Sequence, residues 1–127
     1  MATDDAHEFD DFGHNLSNPG RGWLMVKADH LSTESVLEAL TYGNFYASTG
    51  VTLEDINLSH NHISIKIKQE DQHSIFTTQF IGLNGYVYDE TTGPNIDYYP
   101  RGNEGYIRAV IKSSTGYKAW TQPVFLI

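Results

Sequence analysis

The first clear pattern along the chain is the apolar run Trp23-Leu24-Met25-Val26, inside Gly22 to Ala28 and just after the turn signal Pro19-Gly20. A run of that length, bounded by a turn, predicts a buried strand. A helix is expected next: Ser32 suits an N-cap, Glu34 puts a negative charge in the first turn, Val36, Leu37, Ala39 and Leu40 recur on one face, and Gly43 supplies the stop. From His62 to Gln69 the period changes to two. Ile63, Ile65 and Ile67 alternate with Ser64, Lys66 and Lys68, as in a strand with one buried and one wet face. Turn signals at Ser59 to Asn61, Gln69 to Gln72, Asn84-Gly85, Gly93-Pro94 and Gly116 divide the remainder, and further strands are predicted at Ser74 to Ile81, Tyr86 to Asp89, Tyr106 to Ser113 and Val124 to Ile127. Short strands at intervals of about 8 to 12 residues, with no second helix for parallel crossovers, predict antiparallel pairing. The expected class is mainly β with one helix: a β-sandwich-like domain over residues 23–127, after a loop-like segment over residues 1–22.

Composition narrows the function classes. A chain of 127 residues, 39% hydrophobic and 13% aromatic, can fill one core without disulfides or a structural metal. Its formal charge of -8 repels phosphate backbones and anionic lipid headgroups, so no nucleic-acid or membrane partner is expected. The absence of cysteine removes disulfide scaffolds, thiolate metal sites and cysteine nucleophiles. No apolar run approaches the roughly 20 residues needed to span a bilayer. Met1 to Asp11 is acidic where a signal peptide is basic and then apolar, so the chain reads as cytoplasmic unless a signal lies upstream in a longer parent.

The densest set of potential ligands is Asp4, Asp5, His7, Glu8, Asp10, Asp11 and His14. Carboxylate oxygen with imidazole nitrogen suits Zn, Mn or Fe, and Asp5-Ala6-His7 is spaced to send two side chains to one side of an extended strand. Solvated acidic termini are common, and spacing alone leaves that alternative open. His60 and His62 form a second His-x-His pair, set at an expected hairpin and without an adjoining carboxylate cluster. Tyr86, Tyr88, Tyr98, Tyr99, Tyr106, Tyr117 and Trp120 could supply a stacking platform for sugar rings, although a sandwich of this size needs most of its large side chains inside. Gly20-Arg21-Gly22 precedes a strand and reads as a tight turn, and no nucleophile elbow, phosphate loop or dinucleotide fingerprint occurs.

Four segments, in this order, resemble the C-terminal part of PHP-family (polymerase and histidinol phosphatase-like) metal-dependent phosphoesterases. They are Ala2-Thr3-Asp4-Asp5-Ala6-His7, Asn18-Pro19-Gly20-Arg21-Gly22-Trp23, Tyr42-Gly43-Asn44-Phe45-Tyr46-Ala47-Ser48-Thr49-Gly50 and Ala119-Trp120-Thr121-Gln122-Pro123-Val124-Phe125. The resemblance is thin between Ser59 and Asn103. It implies that the family's last metal-ligand motif, Asp-x-His, falls on Asp5 and His7, and that a β-rich tail follows the last strand and helix of a PHP-type barrel. The implied chemistry is phosphoester hydrolysis by a metal-activated water, with divalent ions clamping the phosphoryl oxygens.

The family's other ligands all precede Asp-x-His, and only six residues precede His7 here. The expectation is therefore a C-terminal piece of a longer protein, with the upstream PHP barrel of the same polypeptide as partner, residues 1–22 loose without it, and the piece inactive alone. A divalent metal (Zn, Mn or Fe) belongs to the full-length protein; two ligands, where a site needs about three or four, give weak or no binding in this chain. The alternative is a non-catalytic β-sandwich module that binds carbohydrate or a protein partner, with Tyr86, Tyr88, Tyr98, Tyr99 and Trp120 as candidate contacts. Exposed edge strands would also suit bracing the barrel or a homodimer.

Overall fold

The structure is a computed structural model and describes residues 22–126. Its elements run β1 (Trp23–Val26), α1 (Thr33–Thr41), β2 (Phe45–Ser48), β3 (Leu53–Leu58), β4 (Ile63–Ile67), β5 (Phe76–Ile81), a 3-10 turn (Leu83–Gly85), β6 (Val87–Thr92), β7 (Asn95–Tyr98), β8 (Tyr106–Ser113), β9 (Lys118–Trp120) and β10 (Val124–Phe125). Every strand pair is antiparallel. The larger sheet is ordered β1-β2-β9-β8-β5-β6, with β10 also on β8, and the smaller is β3-β4-β7. Mainly β with one helix, in antiparallel sheets, is thus the observed class.

The two sheets face each other across one core. Ile63, Ile65 and Ile67 of β4 with Ile96 and Tyr98 of β7 come from the smaller sheet; Tyr46, Phe76, Phe80, Ile107, Ala109, Ile111 and Ala119 come from the larger. Alternation in β4 and β8 puts these side chains on one face, and burying that many branched and aromatic groups is the main force holding the sheets together. The chain changes sheet at residues 49–52, 68–75, 93–94 and 99–105. Gly93-Pro94 is accordingly a corner: Gly93 donates its N–H to Phe76 O in one sheet while Pro94 O accepts from Ile67 in the other.

Ser32 caps α1 as its sequence suggests, its Oγ accepting from Ser35 N at 3.2 Å. Gly43, at φ +74°, takes the left-handed conformation that lets the chain leave the helix and turn into β2. The expected apolar face is only partly covered. Ala39 is buried and Val36 and Leu40 half-buried, but Leu37 remains 57% exposed. Four strands were not anticipated by the sequence pattern: β2, β3, β7 and β9.

Candidate functional site

The described parts of three of the four segments that carry the family resemblance, of the second only Gly22 and Trp23, meet in the fold. Trp23 pairs with Ser48, Ala47 with Trp120, and Ser48 with Ala119, so β1, β2 and β9 lie side by side although nearly a hundred residues separate the first from the last. The row Leu24, Ala47, Trp120, Val110, in which Ala47 and Val110 are buried, then crosses four strands. Trp120, one of the candidate ligand contacts, is half-buried in that row.

The polar groups of this region are engaged by its own turns. The buried Ser48 hydroxyl donates to Val51 O at 2.6 Å and accepts from Gly50 N at 3.0 Å. The Tyr46 hydroxyl accepts from Leu53 N at 3.0 Å. Thr49 exchanges backbone and side-chain hydrogen bonds with Lys118, at 2.9 Å from Thr49 N and 2.9 Å to Thr49 Oγ1. Gly50 lies under the Tyr117 ring, where a Cβ would sit 2.5 Å from Cγ; only glycine allows that approach. Residues 45–50 therefore act as a structural hinge between the sheets, and Ser48 is no candidate nucleophile because its proton is committed to a carbonyl.

Asp5 and His7, with the rest of the Asp4 to His14 cluster, lie outside the described residues. Among the described residues no group of three or more His, Cys, Asp or Glu side chains is arranged to hold a metal ion. His60 and His62 do not act as a pair. His62 Nε2 is hydrogen-bonded to Asp97 Oδ1 at 2.9 Å and its ring stacks on Tyr99, with centroids 4.6 Å apart and planes within 10°. His60 is exposed in the β3–β4 turn.

The four candidate tyrosines do not share one surface. Tyr98 is in the core, stacked 4.6 Å from Phe80, while its neighbour Tyr99 points outward and is 66% exposed. Strand alternation separates them. Tyr86 and Tyr88 meet edge-to-face at 4.7 Å, with Tyr86 exposed and Tyr88 half-buried against the core. The outer face of the smaller sheet carries Asn57, Ser64 and Asp97 in one cross-strand row beside Tyr99 and His62. That face offers the stacked Tyr99 and His62 rings and several short polar groups, which can bind but hold no activated nucleophile.

The most tightly bonded polar group is Glu104, which sequence reasoning passed over. It is 1% exposed, and its carboxylate accepts from the Tyr98 hydroxyl at 2.6 Å and from the N–H groups of Arg101, Gly102 and Asn103 at 2.7 to 3.1 Å. Burial opposes its ionised form, but the Tyr98 hydroxyl and the surrounding amides outweigh this and hold it below the usual carboxylate range. Burial and the adjacent carboxylate push Tyr98 up, so its proton stays in place. This arrangement fixes the crossover from β7 to β8; with every acceptor engaged inward, it does no solvent chemistry. A recess of about 120 Å³ lies between Gly50, Lys68, Asp71, Ser113 and Tyr117. Asp71 there accepts from Ser74 Oγ and from the His73 and Ser74 amides, which hold its carboxyl below the ordinary value.

Comparison of the chain with protein-family models, characterised proteins and solved structures finds no match.

Proposed function

We propose that the chain is the C-terminal part of a PHP-like metal-dependent phosphoesterase. Asp5 and His7 contribute the last Asp-x-His ligand motif to a site completed by upstream sequence, and residues 23–127 form a non-catalytic domain that braces it. One observation supports this reading above the others: the segments around Trp23, Phe45 to Gly50 and Ala119-Trp120 form the adjoining strands β1, β2 and β9. Residues 59–103, where the resemblance is thin, supply instead most of the smaller sheet and the far strands of the larger one. Resembling segments gathered into one structural unit, with a divergent remainder, are what a tail attached to a common barrel would have.

Hydrolysis of a chromogenic phosphate ester in the presence of Zn²⁺ or Mn²⁺ tests the incomplete-site part of this proposal. The chain should show no turnover above its Asp5→Ala and His7→Ala variants. Metal-dependent turnover that either variant abolishes would contradict it, because two ligands do not hold a metal in catalytic geometry.

The second reading, a carbohydrate- or protein-binding module, draws its support from the exposed Tyr99 ring on the wet face of the smaller sheet. It is the weaker of the two, since Tyr98 is buried and Tyr86 does not stack with Tyr99.

A further inference from the structure

Asn84-Gly85 is the single Asn-Gly pair in the chain; every other asparagine is followed by a residue with a side chain. The pair sits at the tip of the β5–β6 hairpin, where both residues are left-handed, Asn84 at φ +61° and ψ +21° and Gly85 at φ +77°. Asn84 is the one residue other than glycine with a positive φ among the described residues. Such a turn favours Asn-Gly, because Asn tolerates the left-handed conformation and Gly has no Cβ to oppose it.

The same pair is arranged for an intramolecular reaction. Asn84 and Gly85 are exposed, and the Asn84 side-chain amide has no hydrogen-bond partner among the described residues. A Cβ placed on Gly85 would meet nothing within 4 Å, so its nitrogen is uncrowded. The turn itself opposes reaction: Gly85 donates its N–H to Gly82 O at 3.1 Å, and Gly82 donates its own to Tyr86 O at 2.8 Å. We propose that Asn84 is a self-modification site, which deamidates through a succinimide formed with Gly85 when this turn opens. Opening of a hairpin tip requires no global unfolding.

With the turn open, the Gly85 nitrogen gives its proton to hydroxide and attacks Asn84 Cγ. The N–Cγ bond forms as Cγ–Nδ2 breaks, and Nδ2 takes a proton from water and leaves as ammonia. One water then opens the five-membered imide. Attack at Cγ breaks the new N–Cγ bond and leaves aspartate; attack at the Asn84 main-chain carbonyl carbon breaks the original peptide bond and leaves isoaspartate, with the backbone running through Cγ. In sum, one amide and one water become one carboxylic acid and one ammonia, and a chain of formal charge -8 gains a further negative charge. Isoaspartate lengthens the turn by one backbone carbon beside Leu83, whose N–H ties the hairpin to the 99–105 crossover through Glu104 O at 3.2 Å. The inference is independent of the phosphoesterase reading.

The test is incubation of the chain at mildly alkaline pH, folded and in urea, followed by intact mass and peptide mapping. A gain of about one dalton, confined to the peptide that holds Asn84 and rising with hydroxide concentration, is expected in both, with the folded chain slower by about tenfold or more because the turn must first open. Asn84→Asp, which keeps a residue that tolerates the left-handed turn, should show no gain. No gain at residue 84 in the folded chain, gain at another asparagine in its place, or equal rates folded and in urea would each overturn the proposal.

Discussion

The Tyr98 hydroxyl donates a 2.6 Å hydrogen bond to the Glu104 carboxylate, joining the last residue of the smaller sheet to the loop that climbs back into the larger one. Three backbone N–H groups of that loop converge on the same carboxylate. A buried charge survives here because every neighbour is a donor.

Replacing Glu104 with Gln keeps the shape but turns one acceptor into a donor facing donors. The expected loss is about 1 to 3 kcal/mol in urea unfolding. Because the folded state holds Glu104 below its ordinary value of 4.5, its stabilisation is present above that value. It fades as pH falls through 4.5 and is gone below the folded value. Glu104→Gln should therefore flatten the acid limb of the stability profile as pH falls through and below 4.5; an unchanged limb would assign the acid sensitivity to other carboxylates.

Gly50→Ala should destabilise by about 1 to 3 kcal/mol, since its Cβ would meet the Tyr117 ring at 2.5 Å. Tyr117 is more than half exposed and can be truncated. In a double-mutant cycle with Tyr117→Ala, only the part of the cost due to the ring should disappear, because the Tyr117 Cβ stays 3.0 Å away and Gly50 holds φ +155°; fully additive losses would place all the strain in the backbone.

Thr78 is fully buried on β5, and its Oγ1 has no hydrogen-bond partner. An orphaned hydroxyl in an apolar core is a penalty that the isosteric Val avoids. Thr78→Val should raise stability by about 1 kcal/mol, seen as a higher midpoint at unchanged denaturant slope. A loss of stability would mean that the hydroxyl is satisfied in solution.

How much of this was legible from sequence varied with the cause. β8 has the boundaries its pattern gives, and Ile63, Ile65 and Ile67 point inward as their alternation requires. β3 was hidden because the bulge between Leu53 and Asp55 spaces its apolar residues at 53, 56 and 58, which fits neither period. β2 was hidden for the opposite reason: Tyr46, Ala47 and Ser48 are all buried, so no alternation exists to be read. Leu37 fits a helical stripe yet stays exposed, and among the described elements α1 packs mainly against β1. Glu104 sits in a polar Arg-Gly-Asn-Glu-Gly stretch, and its burial depends on a tyrosine six residues away on another element. Tyr98 and Tyr99 were separable in principle, since Ile96 and Tyr98 share a period-two face.

The central claim, an incomplete ligand pair at Asp5 and His7, is tested most directly by a Zn²⁺ titration followed by NMR, observing the His7 imidazole and the amides of residues 4–11 with His60 and His62 as internal controls. Weak shifts centred on His7, lost in Asp5→Ala and far from saturation at micromolar metal, are the result predicted. Saturation at His7 in the micromolar range would mean a complete site within this chain, and shifts confined to His60 and His62 would remove the ligand assignment altogether.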